Sequence, residues 1–580
     1  MTIYDNTYYR KINFILFFTV ITFIYSFAIF NAKFKGPDEP IYYAYTKSTV
    51  EDYDLNVLNQ LTPGHSPYYF PSGEIFVSKT YNFPDYHDHG GIVYWVPFYV
   101  LGKSLYSLYG RLNILDISVY SQEEFIKGIL SLSTVILSFL VFIFTCLFCR
   151  TFFSAKVSFY SSIAIFFGTP FFYFSLFEVG NAQILAVLFS ILSIWFCSNA
   201  VRMKRLHWFL YGIFFSACLI IKIDIFFQVF FISCFLFFLL LLGKADLNKA
   251  VLFFVGIVPG FALSQVNSYI KYGTFHLGYL GLLNLKSFYF FEQLFSSYRG
   301  FFYTSPIFYI LILGFLLVAR NLRKKSYMTS QERLNYVFIF SLSLYLFLKI
   351  FILSFRYAWG GGTPGARLLL TEYPVLVLLY GYTLLQVQKK YWLRTIFYAI
   401  SIFLISWNLL VVTEFSAGVD IKNIIDKPVL LKRLTTAIPA LISLFSSKNL
   451  NLKLFLLPVF IPFLAAILFI VRQQDKILSF FGKLGDGGQF KSLKLVILLI
   501  VYFYSFYSMV TIFNVANNER NIKVMQSQGI LNDVRVVGPG KFEMFENISS
   551  FDEMTQYYKY KGDEKNLERI KEIRYSLYNK

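Results

Sequence analysis

Phe14-Ile15-Leu16-Phe17-Phe18-Thr19-Val20-Ile21-Thr22-Phe23-Ile24-Tyr25-Ser26-Phe27-Ala28-Ile29-Phe30 carries no formal charge, and Gly36-Pro37-Asp38-Glu39-Pro40 follows almost at once. The first stretch is just long enough to cross the hydrocarbon core of a bilayer as a helix. Asp38 and Glu39 then stand at the lip of the membrane, between prolines that disfavour an ordinary helix. Carboxylates this close to lipid are costly to keep, which marks them as candidates for function. The plainer alternative is a helix C-terminal turn whose acids meet water, Lys33 or Lys35.

The remaining residues extend the membrane reading. Of 580 residues, 56% are hydrophobic and only 15% charged, with a mean hydropathy of +0.55. Soluble domains of that size need more polar surface than this composition supplies. The net charge of +20 is no nucleic-acid footprint, because the basic residues fall in short clusters between apolar stretches. All five cysteines lie in or beside apolar helices, which excludes a disulfide-stapled outer domain and favours packing. No small-residue pair offers a cleavage point before Lys33, so the first stretch is expected to stay as a signal anchor.

Apolar segments recur at about 14–30, 125–148, 157–176, 182–200, 207–221, 225–242, 250–268, 302–319, 335–353, 369–386, 393–412, 453–471 and 493–514. They predict an all-α polytopic bundle of about thirteen transmembrane helices over residues 1–515. With Arg10 and Lys11 in the cytoplasm, every inside connection is basic; Arg150 and Lys156, Arg320 to Lys325, and Arg472 to Lys494 are examples. That is the pattern the positive-inside rule requires. Counting residues 92–109 as a further span would invert it. The segment is therefore expected to lie in the interface, with Tyr94, Trp95 and Tyr99 at headgroup level. The outside then holds a long first loop (about 31–124), the loops 269–301, 354–367 and 414–452, and a small C-terminal tail (516–580). Within the tail, Asp563–Tyr578 has the pattern of an amphipathic helix.

Several outer residues are chemically suggestive. Arg356 and Arg367 flank Trp359-Gly360-Gly361-Gly362-Thr363-Pro364-Gly365 on the side where basic residues are disfavoured. Guanidinium groups there suit phosphate recognition, with snorkelling to lipid phosphates as the alternative. Lys222, Arg299 and Glu178 lie at outer helix ends, where each is an interfacial charge or a substrate contact. Asp85-Tyr86-His87-Asp88-His89 alternates acids and imidazoles, which suits substrate contacts or a plain solvated loop better than a metal site. No nucleotide-binding loop and no Ser-His-Asp or His-Glu-x-x-His arrangement occurs in a defensible context.

Taken in order, these motifs resemble those of the GT-C superfamily, the polytopic transferases that take sugars from polyprenyl-phosphate carriers. The chain is similar to bacterial enzymes related to protein O-mannosyltransferases and the lipid A aminoarabinose transferase. Gly36 to Tyr43 resembles the family's Asp-Glu motif, and His89-Gly90-Gly91 through Pro97 its His-Gly…Pro run. Asn267 to Gly273, Tyr298 to Pro306, and Trp359 to Arg367 resemble later motifs. Gln183 and Lys222 depart from the histidine and arginine common in relatives. The resemblance implies inverting transfer at the outer face of a bacterial plasma membrane. Asp38 would be the general base, assisted by Glu39. Arg367, Arg356, Lys222 and Arg299 would be donor-phosphate contacts, and His87, His89, Trp359 and Glu178 substrate contacts. The acceptor would be a protein, a lipid or a growing glycan. No cofactor is required; a divalent metal is compatible. The alternatives are an O-antigen polymerase or ligase, expected to use a large late outer loop, and a lipid-linked sugar flippase, expected to carry mid-span charges and inverted repeats.

Overall fold

A computed structural model describes residues 20–34, 38–57, 75–77, 87–113, 119–202, 205–222, 228–241, 247–273, 288–296, 299–323, 329–355, 367–416, 448–483, 490–527 and 534–536, with scattered single positions between. The molecule is a helical membrane protein. Helices Gln122–Cys149, Ala250–Tyr272, Ser330–Leu353, Tyr391–Ser416, Leu452–Arg472 and Val496–Asn517 are each long and apolar enough to cross a bilayer. Shorter apolar helices include Val20–Ile29 (α1), Ala155–Gly168 (α5) and Phe230–Leu239.

The organising element is Gln122–Cys149, α4, whose spanning window is 83% buried against 28% for Ala250–Tyr272 and Tyr391–Ser416. Its start is fixed by a capping box. Ser121 Oγ accepts from Glu124 N (3.2 Å), and Glu124 Oε2 accepts from Ser121 N (3.1 Å). Within the span, hydroxyls such as Ser138 and Thr145 donate to carbonyls one turn back (2.9 and 2.7 Å), so no polar atom of theirs faces lipid. Around α4 pack α3 (Ile92–Leu112), α5, α7 (Gln183–Arg202) and α15 (Tyr373–Val387). Farther out, α8 (Arg205–Ile221) packs against α7 and α10 (Leu247–Tyr272), and α9 (Gln228–Leu241) against α14 (Ser330–Leu353).

Three sequence expectations change in form. First, α3 follows the axis of α4 instead of crossing it. Tyr94 Oη donates to Ser133 O (2.7 Å), Gly102 abuts Ile126, and Tyr106 Oη donates to Tyr120 O (2.9 Å), an antiparallel pairing along the N-terminal half of α4. Trp95 and Tyr99 are buried within this packing. Second, the segment 157–176 is broken: α5 ends at Gly168, Pro170 intervenes, and α6 (Phe171–Leu176) restarts the chain. Third, the last helix (Phe490–Ser527) spans 38 residues, about 57 Å, and so projects well beyond a hydrocarbon core of about 30 Å. Beyond it, Val534–Val536 pairs in parallel with Ile75–Val77, in register Ile75↔Val534. This small ladder ties the tail to the long loop between α2 (Glu39–Glu51) and α3, a β element that the all-α expectation lacked. The tail helix expected at 563–578 lies outside the described run of residues.

The two ends of the bundle are chemically distinct. At one, Arg150 meets Asp475 (2.7 Å) and Gln474 (3.1 Å), joining the connections after α4 and after Lys448–Arg472. At the other lie Asp38, Asn181, Lys222, Lys271 and Arg367.

Candidate active site

Asp38 is delivered by a stitch between chain segments far apart in sequence. After α1, Asn31 N donates to Leu176 O (2.7 Å), docking the chain on the end of α6. The prolines then act differently from the expectation. Pro40 sits in the first turn of α2 (Glu39–Glu51), where its missing N–H costs nothing, so the acidic run opens a helix. Asp38 is its N-cap residue, yet its carboxylate makes no cap bond. Both oxygens turn instead to other elements. Oδ1 lies 3.3 Å from His87 Nε2, and Oδ2 lies 3.4 Å from Arg367 Nη1. Oδ2 also accepts from Asn181 Nδ2 (3.2 Å).

Asn181 links two carboxylates. Its Oδ1 accepts from Gln183 N (3.0 Å) at the start of α7, which fixes the amide orientation and leaves Nδ2 to donate. One N–H goes to Asp38 and the other to Glu178 Oε1 (3.0 Å). Asp38 and Glu178 are both buried, but their chemistry diverges. Burial alone would raise the Asp38 carboxyl; Arg367, His87 and Lys222 together outweigh it and hold it well below the usual carboxylate range. Burial, reinforced by the Asp38 charge, pushes Glu178 up to about 7 against the pull of Arg367. One acid is thus ionised while its neighbour holds its proton near neutrality.

The other candidates are placed separately. Lys222, at the end of α8 and 5% exposed, joins the central cluster through its charge on both Asp38 and Glu178. Glu39 is buried beside Gly180, where an added Cβ would lie 3.5 Å from its own. His89 points elsewhere: its Nε2 lies 3.2 Å from Lys271 Nζ and its ring 4.2 Å from that of Tyr45. Because an ammonium only donates, His89 accepts at Nε2 and carries its proton on Nδ1. Arg299 is buried, its guanidinium 5.3 Å over the Phe415 ring. Arg356 and Trp359 lie outside the described residues.

Two participants escape sequence reading. Asn181 is uncharged and leaves no hydropathy signal. Lys271, 6% exposed, donates to His87 O (2.8 Å) and so holds the loop that faces Asp38. It did carry a signal, as a lysine at the outer end of a span against the charge rule. Gly90 brings the same loop close to α8, since a Cβ there would fall 2.7 Å from the Ile220 carbonyl carbon. Among the described residues, no group of three or more His, Cys, Asp or Glu side chains converges as metal ligands would.

An apolar cavity of about 300 Å³ is lined by Pro97, Leu137, Leu188, Phe214, Ala217 and Phe503 among others. Ala217 precedes Lys222 by five residues, about 7.5 Å along α8. The apolar cavity and the charged cluster are thus linked through α8. Comparison of the chain with protein-family models, with characterised proteins and with solved structures returns no match.

Proposed function

We propose that this protein is a membrane glycosyltransferase that moves a sugar from a polyprenyl-phosphate carrier to an acceptor hydroxyl, in a bundle of about thirteen crossings with its site facing outward from a bacterial plasma membrane. The observation that carries the reading is the buried ion pair between Asp38 and Arg367, with an apolar cavity lined in part by α8, the helix that leads to Lys222. A lipid-linked phosphosugar is an apolar chain ending in an anion and a sugar, and these are the surroundings it requires.

The acceptor oxygen attacks the anomeric carbon from the face opposite the phosphate. The new C–O bond forms as the old one breaks, and its electron pair leaves on the phosphate oxygen. Asp38 takes the hydroxyl proton. The leaving phosphate is stable as an anion, so no second carboxylic acid is needed to protonate it, unlike glycoside hydrolysis. Arg367 and Lys222 neutralise the charge that develops on it. Without donor, these cations make Asp38 a poor base. When the phosphate arrives it competes for Arg367, the pull on Asp38 relaxes, and its basicity rises as the donor is seated. His87, held by Lys271, orients Asp38, while protonated Glu178 keeps a second negative charge away from the donor.

The test is purified protein in detergent with synthetic short-chain polyprenyl-phosphate sugars and a panel of hydroxyl acceptors, with no membrane gradient present. Release of free polyprenyl phosphate that depends on Asp38 supports the reading. No release from any donor, from protein that is folded and monodisperse, would discard it.

A further inference from the structure

The turn bearing Arg367 has an unusual backbone and an unusual anchor. Arg367–Glu372 is a six-residue 3-10 run, longer than the three or four residues such helices normally sustain, because their internal hydrogen bonds are poorly aligned. Its upper end is set by Gly365 at φ +73°, packed so closely that a Cβ would meet Thr304 Oγ1 at 2.4 Å. Its lower end is gripped by side chains. Lys349 and Glu372 are both fully buried and pair at 2.9 Å. Glu372 Oε1 also accepts from Tyr345 Oη (2.7 Å) and Thr371 Oγ1 (3.0 Å), and Lys349 donates to Thr371 Oγ1 (2.9 Å). From α7, Ser190 Oγ donates to Thr371 O (2.7 Å), itself accepting from Gln228 Nε2 of α9 (3.0 Å). Three helices thus converge on the foot of one short turn.

We propose that Lys349 and Glu372 are positioning residues whose buried ion pair locks the foot of this turn and so aims Arg367 at Asp38. A buried ion pair adds little net stability over well-packed apolar residues of similar volume, so stability does not account for it. What it supplies is direction. Arg367 stands five residues from Glu372, about 10 Å along a 3-10 run. A rotation at the foot would swing the guanidinium out of reach of a carboxylate 3.4 Å away. The consequence for catalysis rests on the donor-phosphate role given to Arg367 above; the positioning itself does not.

The test uses the Lys349→Met/Glu372→Leu double variant of the full chain, because a single change would strand one buried charge and threaten folding. Wild type and variant, both monodisperse in detergent, are treated with phenylglyoxal, and arginine modification is read by peptide mass spectrometry. Arg299 and Arg367 are both largely buried, at 2% and 7% exposure, so each reports on its own surroundings. The expected result is labelling of Arg367 accelerated at least roughly tenfold with Arg299 unchanged, and a donor KM raised by a similar factor with a smaller change in kcat. Unaltered protection of Arg367 overturns the proposal. Equal acceleration at both arginines also overturns it, since the pair would then merely hold the bundle together. Selective labelling, in a protein that transfers no sugar from any donor, would uphold the positioning and reject the donor reading.

Discussion

Glu178→Gln should make the protein more stable at alkaline pH and leave it unchanged at acid pH. In the folded protein Glu178 is raised from 4.5 to about 7, first by burial and then by the Asp38 charge. That displacement corresponds to about 3 kcal/mol, with no allowance for screening because the group is buried. The sign follows from proton binding. Between pH 4.5 and about 7 the folded chain keeps a proton that the unfolded chain has lost, so stability declines as pH rises through that window. Above about 7 the full penalty applies. Glutamine cannot ionise, and its amide oxygen still accepts the bond from Asn181, so the variant escapes the penalty. Asp38 acts in the opposite sense: its depressed ionisation contributes stability at neutral pH that is lost as pH falls below the ordinary carboxylate range. Thermal unfolding in detergent, followed by size-exclusion fluorescence from pH 4 to 9, reads both limbs. Wild type and variant should coincide near pH 4 and separate by several degrees at pH 8. A melting difference that is the same at pH 5 and pH 8 would refute the reasoning. If the anionic donor binds here, its KM in wild type should also climb above pH 7, when a second negative charge appears beside Asp38, and should stay flat in the variant.

Asp38→Asn should lower transfer by about 10²- to 10⁴-fold without preventing membrane insertion; transfer at wild-type rates removes Asp38 as the base. Arg367→Ala should raise donor KM about tenfold or more, whereas Arg299→Ala should act weakly, because Arg299 stacks on Phe415 instead of reaching Asp38; equal effects in donor titrations would erase the distinction. Lys271→Met should lower kcat and shift the acid limb of the pH–rate profile by releasing the His87 loop, and an unaltered profile would show that Lys271 only packs. Gly365→Ala combines left-handed backbone strain of about 1 kcal/mol with a clash at Thr304, so it should impair donor binding through the displaced turn, as donor KM measurements would reveal.

Much of the helical framework was legible in the residues. The apolar runs are largely helical where the structure describes them, with breaks at 169–170 and 305–307, because a chain in lipid must satisfy its own backbone bonds and hydropathy reports that need locally. Asp38, Arg367 and Lys222 stood out because charge at the outer ends of spans is scarce. Other features were hidden. The break at Pro170 lies inside an uninterrupted apolar run, and the pairing of 75–77 with 534–536 joins segments at opposite ends of the chain. Lys349 sits within a span and shows its purpose only beside Glu372.

By itself, then, the amino-acid order determined that this is a membrane protein, that its apolar stretches form helices, and which charged residues sit at helix ends. Those properties depend on the transfer of side chains between water and hydrocarbon, and each residue carries that cost wherever it sits in the chain. Only the tertiary structure decided that Asp38 faces Arg367, His87 and Asn181, that His89 turns away to Lys271, and that Glu178 keeps its proton while Asp38 loses its own. Ion pairs and shifted acidities arise from a few ångströms of separation inside a low-dielectric interior, and helix packing alone sets those distances.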